Sequence, residues 1–268
     1  MDLGLIGSTA LVTGASAGLG FASAAALAAE GCRIAVCSRD QSRIESAAES
    51  LRKHGTEIIP LVCDVTDEEQ IRTALAAVSD AFGDSLNILI TNARGPRSGY
   101  VGDFDASDWR EALELNLVST INLTRHALPL IRRAAEPENG FGRILMISSV
   151  AAKQPVPSLY LSNVSRAGVQ GFAKSLSEEL GPSGITVNTL LPGFTTTERL
   201  KELATATKAQ TGRSIDSIYE GWAEATALKR LAEPGEFGAA VAFLASRQAA
   251  YITGHALPVD GGRIKGLL

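Results

Sequence analysis

Thr13-Gly14-Ala15-Ser16-Ala17-Gly18-Leu19-Gly20 is the stretch that decides the fold. It follows a short apolar run at 9–13 and opens a small-residue stretch at 18–30 that reads as a helix. Glycines at a strand-to-helix junction allow a tight turn. They also let the backbone approach a pyrophosphate, which sits on the positive N-terminal end of the helix. A plain turn would accept glycines too. The position in the first strand–helix unit, the small residues throughout, and a second strand ending in Cys37-Ser38-Arg39 about twenty residues on point to a dinucleotide site.

Outward from this turn, strand-like runs at 33–37, 58–63, 86–91, 143–148, 186–191 and 255–259 alternate with helical patterns. The helices are expected at 40–54, 67–82, 108–135 as one long element, 161–180 and 234–246. In the second of these, Ile71, Leu75 and Val78 share one face. The strand runs are apolar on both faces, as parallel strands between helices are. The alternation therefore predicts an α/β, Rossmann-type, doubly wound seven-stranded parallel sheet with helices on both faces, built from right-handed crossovers. No linker interrupts it, so residues 1–268 read as a single dinucleotide-binding domain. Residues 195–233 break the rhythm and read as a substrate-covering segment. Its Leu200, Leu203, Ile215, Ile218, Tyr219 and Trp222 are placed either to cover an apolar ligand or to pack the segment onto the body.

Composition narrows the class. Lys and Arg number 25 against 29 Asp and Glu, a net charge of −4 that offers no basic excess to a nucleic-acid backbone. The 45% hydrophobic and 20% charged content is that of a core-forming chain rather than a disordered one. No apolar run reaches the roughly 18 residues of a membrane span. The start, Met1-Asp2-Leu3-Gly4, lacks the basic region of a secretory signal. Cys32, Cys37 and Cys63 form no CxxC motif and no even set, which fits a reducing, cytoplasmic setting. His54, His126 and His255 are far apart, and no metal site is expected.

The spacing Gly-x-x-x-Gly-x-Gly, preceded by Thr13, resembles that of the short-chain dehydrogenase/reductase family. The resemblance runs on through Asp64-Val65, Thr91-Asn92-Ala93, Asn116, Ser148-Ser149 and Pro192-Gly193 with Thr197. Tyr251-Ile252-Thr253-Gly254 and Asp260-Gly261-Gly262 are similar to the C-terminal signature of 3-oxoacyl-[acyl-carrier-protein] reductases. The resemblance implies NAD(P)(H)-dependent hydride transfer to or from a small-molecule carbonyl or alcohol, and a homotetramer. It also implies cofactor contacts from Gly14, Ser16, Gly18, Leu19, Gly20, Arg39, Asp64, Val65, Asn92, Ala93, Pro192, Gly193 and Thr197. At the end of the second strand an acid would select NAD, whereas Arg39 suits the 2′-phosphate of NADP. NADP is the expected cofactor, although Ala17 is not the extra base that NADP-using relatives often carry.

The catalytic motif departs from the family pattern. An Asn–Ser–Tyr–Lys set is implied, and its first members are Asn116 and Ser149. The tyrosine and lysine positions fall on Ser162 and Arg166. A phenol has a pKa near ~10 that a neighbouring cation lowers, whereas an aliphatic hydroxyl is a far weaker acid. Arg166 keeps the charge as a planar fork suited to gripping ribose hydroxyls, but it does not relay a proton as lysine does. Tyr160, six residues before Arg166, falls ~240° round an ideal helix from it, which suits packing at the helix entrance. Arg94 replaces the last glycine of the Asn-Asn-Ala-Gly element and must turn outward to spare the cofactor. Two other readings stay open. One is a nucleotide-binding protein without turnover. The other is a lyase such as the halohydrin dehalogenase relatives, which also carry arginine in the lysine slot but keep the tyrosine and lose the nucleotide turn.

Overall fold

Successive residues of each central strand point to opposite sides, and both sides are dry. In the first strand, β1 (Thr9–Thr13), Ala10 and Val12 enter one apolar cluster while Leu11 enters the other. The computed structural model describes residues 1–136 and 140–267. Its seven strands are β1, β2 (Arg33–Ser38), β3 (Ile58–Val62), β4 (Ile88–Thr91), β5 (Gly142–Ile147), β6 (Ile185–Pro192) and β7 (Ala256–Val259). They pair in the order β3-β2-β1-β4-β5-β6-β7, every pair parallel. The strand order reverses between β1 and β4, the switch point at which such sheets open a crevice.

Three helices, α1 (Gly18–Ala29), α2 (Gln41–Arg52) and the late Pro234–Ala245, feed the first cluster through Leu27, Ile44, Leu51 and Phe237. The other face is covered by α3 (Glu68–Phe82), Ser119–Ala135 and Tyr160–Leu180. Sequence explains the starts and stops. Asp67 accepts hydrogen bonds from the Glu69 and Gln70 N–H groups at the head of α3, and Gly83 ends it in the left-handed region at φ 72°. Asp40 caps α2 in the same way, through the Arg43 N–H.

The long helix expected at 108–135 is instead three pieces. These are α4 (Ala106–Leu113), a π-helical stretch at Glu114–Val118, and α5 (Ser119–Ala135). The extra residue per turn rotates Asn116 into the interior, where it is fully buried. Apolar periodicity carries no sign of one wider turn, so the break was invisible in the pattern. After β5 the chain continues into α6 (Tyr160–Leu180). The segment 195–233 holds α7 (Glu198–Thr211) and α8 (Ile215–Glu224), and α9 (Pro234–Ala245) follows it. The three cysteines are buried free thiols. No helix among the described residues is long and apolar enough to cross a membrane.

Candidate active site

The glycine turn is locked to the opposite half of the sheet. Asn92 Nδ2 donates to the Gly14 carbonyl at 3.1 Å. Thr13 Oγ1 accepts from the Asn92 N–H and donates to its carbonyl, both at 2.8 Å. Each glycine answers a separate demand. A Cβ on Gly20 would fall inside contact distance of the Gly14 carbonyl and 2.8 Å from Asn92 Nδ2. Gly18 lies at φ 60°, and a Cβ there would be in ordinary contact with Thr197 at 3.7 Å, without a clash. Unlike α2 and α3, α1 has no side-chain cap, and unlike α3 it has no acid in its first turn. Its positive end therefore faces the turn uncompensated, the arrangement that binds a phosphate. Ser16 and Leu19 are half-buried along the turn.

At the neighbouring strand ends, Arg39 is exposed and lies 3.9 Å from Asp64, whose carboxylate accepts from Thr66 N–H and Oγ1. Val65 packs partly buried against the second cluster. On the other side of the switch point, Pro192 ends β6. Gly193 donates its N–H to the Val259 carbonyl at 3.0 Å, and a Cβ there would meet Asp260 Cα at 2.6 Å. Thr197 caps α7 through the Leu200 N–H.

Two of the catalytic-position residues, Arg166 and Asn116, meet at the loop after β4. Arg166 is buried (6% exposed); its Nη1 donates to the Ile147 carbonyl at 2.9 Å and its Nη2 to the Ala93 carbonyl at 3.2 Å. Burial, and then the nearby Arg199 cation, push its guanidinium pKa down to about 10, so it stays charged at neutral pH. Asn116 Nδ2 donates to the Arg94 carbonyl at 3.3 Å. Two buried atoms here, Asn116 Oδ1 and Arg166 Nε, have no hydrogen-bond partner among the described residues. Ser149 caps a short turn through the Ala151 N–H, and Ser148 Oγ donates to the Arg166 carbonyl at 3.3 Å. Ser162 is half-buried one turn before Arg166 on α6. Tyr160 is 39% exposed, with its ring tilted against Tyr100 at 6.3 Å, as packing at the helix entrance requires. Arg94 does turn outward, to Glu202 at 3.0 Å.

A family model described as enoyl-(acyl carrier protein) reductase matches residues 14–263, nearly the whole of this framework. The chain belongs to the short-chain dehydrogenase/reductase family. Within this family of NAD(P)-dependent oxidoreductases it resembles the 3-oxoacyl-[acyl-carrier-protein] reductases. It is 34% identical to the reductase FabG of Vibrio cholerae, over 97% of this chain and 98% of that one. It is 32% identical to the short-chain reductase protein NovJ of Streptomyces niveus, over 96% and 94%. Among solved structures, L-sorbose reductase from Gluconobacter frateurii, complexed with NADPH and L-sorbose, superposes over 100% of both chains with a TM-score of 0.91 at 30% identity. A point variant of actinorhodin polyketide ketoreductase with NADPH gives 0.91 at 31%, over 97% of this chain and 98% of that one.

Other parts of this reductase-family site had no motif to announce them. Arg43 on α2 reaches Glu198 at 3.1 Å, and Arg199 on α7 reaches Glu202 at 3.2 Å and the Pro96 carbonyl at 2.8 Å. Arg199 follows Thr197 by two residues, and that neighbourhood was the one available signal. The 195–233 segment is seated at its base. Phe194 stacks on Trp222 at 4.9 Å, with the Arg263 guanidinium 4.1 Å over the Phe194 ring. Leu200 and Ile218 are buried, which is the packing role; Tyr219 tilts against Trp222.

Proposed function

We propose that the protein is an NADP-dependent reductase of small carbonyl compounds whose catalytic set is Asn116, Ser149, Ser162 and Arg166. The observation that carries this reading is the cradle in which the uncapped head of α1, Gly18, Asn92 and Thr197 face one another. The cofactor fits the residues present. Gly18 leaves room where a side chain would intrude, and Arg39 offers an exposed cation beside Asp64 for a 2′-phosphate. NADPH complexes among the similar reductases support the same choice.

When bound, the nicotinamide supplies the hydride. The chain's own residues position and polarise the carbonyl. The Ser149 hydroxyl donates to its oxygen, and the Arg166 charge favours the negative charge that grows there, weakly screened because Arg166 is buried. Ser162 adds a donor but no acid of useful pKa, so the proton comes from water. Arg166 holds the loop after β4 in place rather than relaying protons. Residues 195–233 close over the substrate and exclude bulk water, while the water that supplies the proton stays inside. The same reading takes the protein as a cytoplasmic homotetramer, which light scattering at micromolar concentration checks.

Titrating NADPH and NADH by fluorescence, then screening carbonyls for oxidation of the bound nucleotide, tests the function. Failure to bind either nucleotide defeats it. The commitment of two Arg166 nitrogens to main-chain carbonyls favours a second reading, nucleotide binding without turnover. That reading is supported if NADPH binds and no carbonyl is reduced.

A further inference from the structure

Two guanidiniums converge on the rim of the site against a single carboxylate, and a third is buried behind them. Arg94, from the loop after β4, places Nη2 at 3.0 Å from Glu202 Oε2. Arg199, from the first turn of α7, places Nη1 at 3.2 Å from that same oxygen. Arg166 lies buried behind the same loop, close enough for the Arg199 charge to bear on its own. The loop ties the three together. Its Ala93 carbonyl accepts from Arg166, its Arg94 carbonyl from Asn116 and its Pro96 carbonyl from Arg199.

The other acids nearby are engaged elsewhere. Glu198 pairs with Arg43, Asp108 with Arg97 at 2.6 Å, and Asp103 accepts from the Tyr100 N–H. Asp260 accepts from the Gly262 and Ile264 N–H groups. Among the side chains that meet at this loop, the three guanidiniums face one carboxylate, Glu202, in a chain whose net charge is −4. Such a cationic patch beside a cleft draws in anions.

The shape of the gap is set by what already occupies it. One carboxylate oxygen accepts from two guanidiniums carried by different elements. Arg94 Nε, Arg94 Nη1 and Arg199 Nε remain without hydrogen bonds among the described residues. A guanidinium is a planar fork that matches a carboxylate with paired donors. The Glu202 contact is half-exposed, and an ion pair of that kind is weakly held. A ligand carboxylate gaining the unused donors displaces it readily.

We infer that the substrate is an oxo acid, whose own carboxylate takes the place of Glu202 between Arg94 and Arg199. This rests on the reductase reading for the fate of the carbonyl, but the anion slot stands on its own geometry. It is a selection that a neutral ketone or sugar does not satisfy.

Calorimetry on the full-length protein tests it, with and without NADPH, using acetoacetate and 2-oxobutanoate against their ethyl esters. The acids are expected to bind about tenfold or more tightly than the esters. Glu202→Gln removes the competing carboxylate and is expected to tighten acid binding several-fold while leaving the esters unchanged. Arg199→Gln is expected to bring the acid-to-ester ratio close to one, and Arg199→Lys to restore part of it. Both acids binding no better than their esters overturns the inference. So does an Arg199→Gln variant that weakens acid and ester alike. A protein that prefers the acids but binds no NADPH upholds the anion slot and defeats the reductase reading, so the two failures are separate.

Discussion

Arg166 and Ala93 are joined across 73 positions of sequence by a hydrogen bond of 3.2 Å from guanidinium to main-chain carbonyl. With the second bond to Ile147 at 2.9 Å, the side chain bridges the ends of β4 and β5. A lysine has one nitrogen at one point and does not span both carbonyls. Arg166→Lys alone is therefore expected to lower stability by about 1.5–3 kcal/mol, the net worth of one hydrogen bond from a charged group, measured as a lower urea midpoint. It is not expected to raise turnover.

Joined to Ser162→Tyr, the same change has a different outcome. The phenol then has a cation to lower its pKa, and general acid help is worth about 10²–10⁴ in rate. The double variant is expected to reduce simple ketones faster than the parent, while Ser162→Tyr alone is not. Stopped-flow oxidation of NADPH reads this out. A parent that already reduces ketones at ordinary enzyme rates has another proton donor, and Tyr160→Phe then tests the leading candidate.

Arg39 carries the choice of nucleotide. Its exposed guanidinium is paired with Asp64 only at 3.9 Å and is available to a phosphate. Charge-assisted bonds of this kind are worth about 1.5–3 kcal/mol, so Arg39→Asp is expected to cut NADPH affinity by about 10- to 100-fold and to favour NADH. Unchanged relative affinities would reduce Arg39 to a surface charge.

Two of the turn's three glycines, Gly18 and Gly20, are expected to fail differently. Gly20→Ala forces a Cβ against the Gly14 carbonyl and Asn92; overpacking of that kind costs about 1–3 kcal/mol, read by denaturant unfolding. Gly18→Ala makes only ordinary contact with Thr197 but must hold φ 60°, a cost of about 1–2 kcal/mol. Its larger effect is on nucleotide affinity, because the new methyl enters the cradle. Equal affinity in the two variants would contradict the assignment.

Glu68 sets an acid limit on the second face. It meets Arg72 at 2.6 Å, Arg125 at 2.9 Å and His126 Nε2 at 2.9 Å. Arg72 first and His126 next hold its carboxyl down to about 2, against the usual 4.5. A lowered acid stabilises the fold above 4.5 and ceases to do so as pH falls through about 2. The Tm difference between the parent and Glu68→Gln is therefore expected to be constant above pH 4.5 and to close by about pH 2. A gap that persists at the acid end of that range shows that Glu68 acts through packing.

The seven strands were legible because each carries apolar residues on both faces, and the glycine turn because its position relative to β1 is unusual for any other purpose. Asn116 was legible as a type in a motif, but not as the centre of a π-helical turn, since one extra residue leaves the apolar pattern on either side intact. Arg166 was legible as a substituted position. Its attachment to Ile147 and Ala93 was not, because main-chain carbonyls leave no mark on sequence. Arg199 and Glu202 looked like any charged pair on a solvated helix. Their role comes from Arg94, which reaches Glu202 from 108 positions away.

The hydrogen bond from Asn92 to Gly14 also has a consequence for synthesis. The two residues are 78 positions apart, and at 5–20 residues per second a ribosome takes roughly 4–16 s to cover that distance. Through that interval β1, α1 and β2 are present without the amide that holds the turn. A nascent chain stalled before residue 92 therefore carries an unfinished cradle and gains no protection from nucleotide. Ligand can assist folding only once the second half of the sheet has begun to emerge.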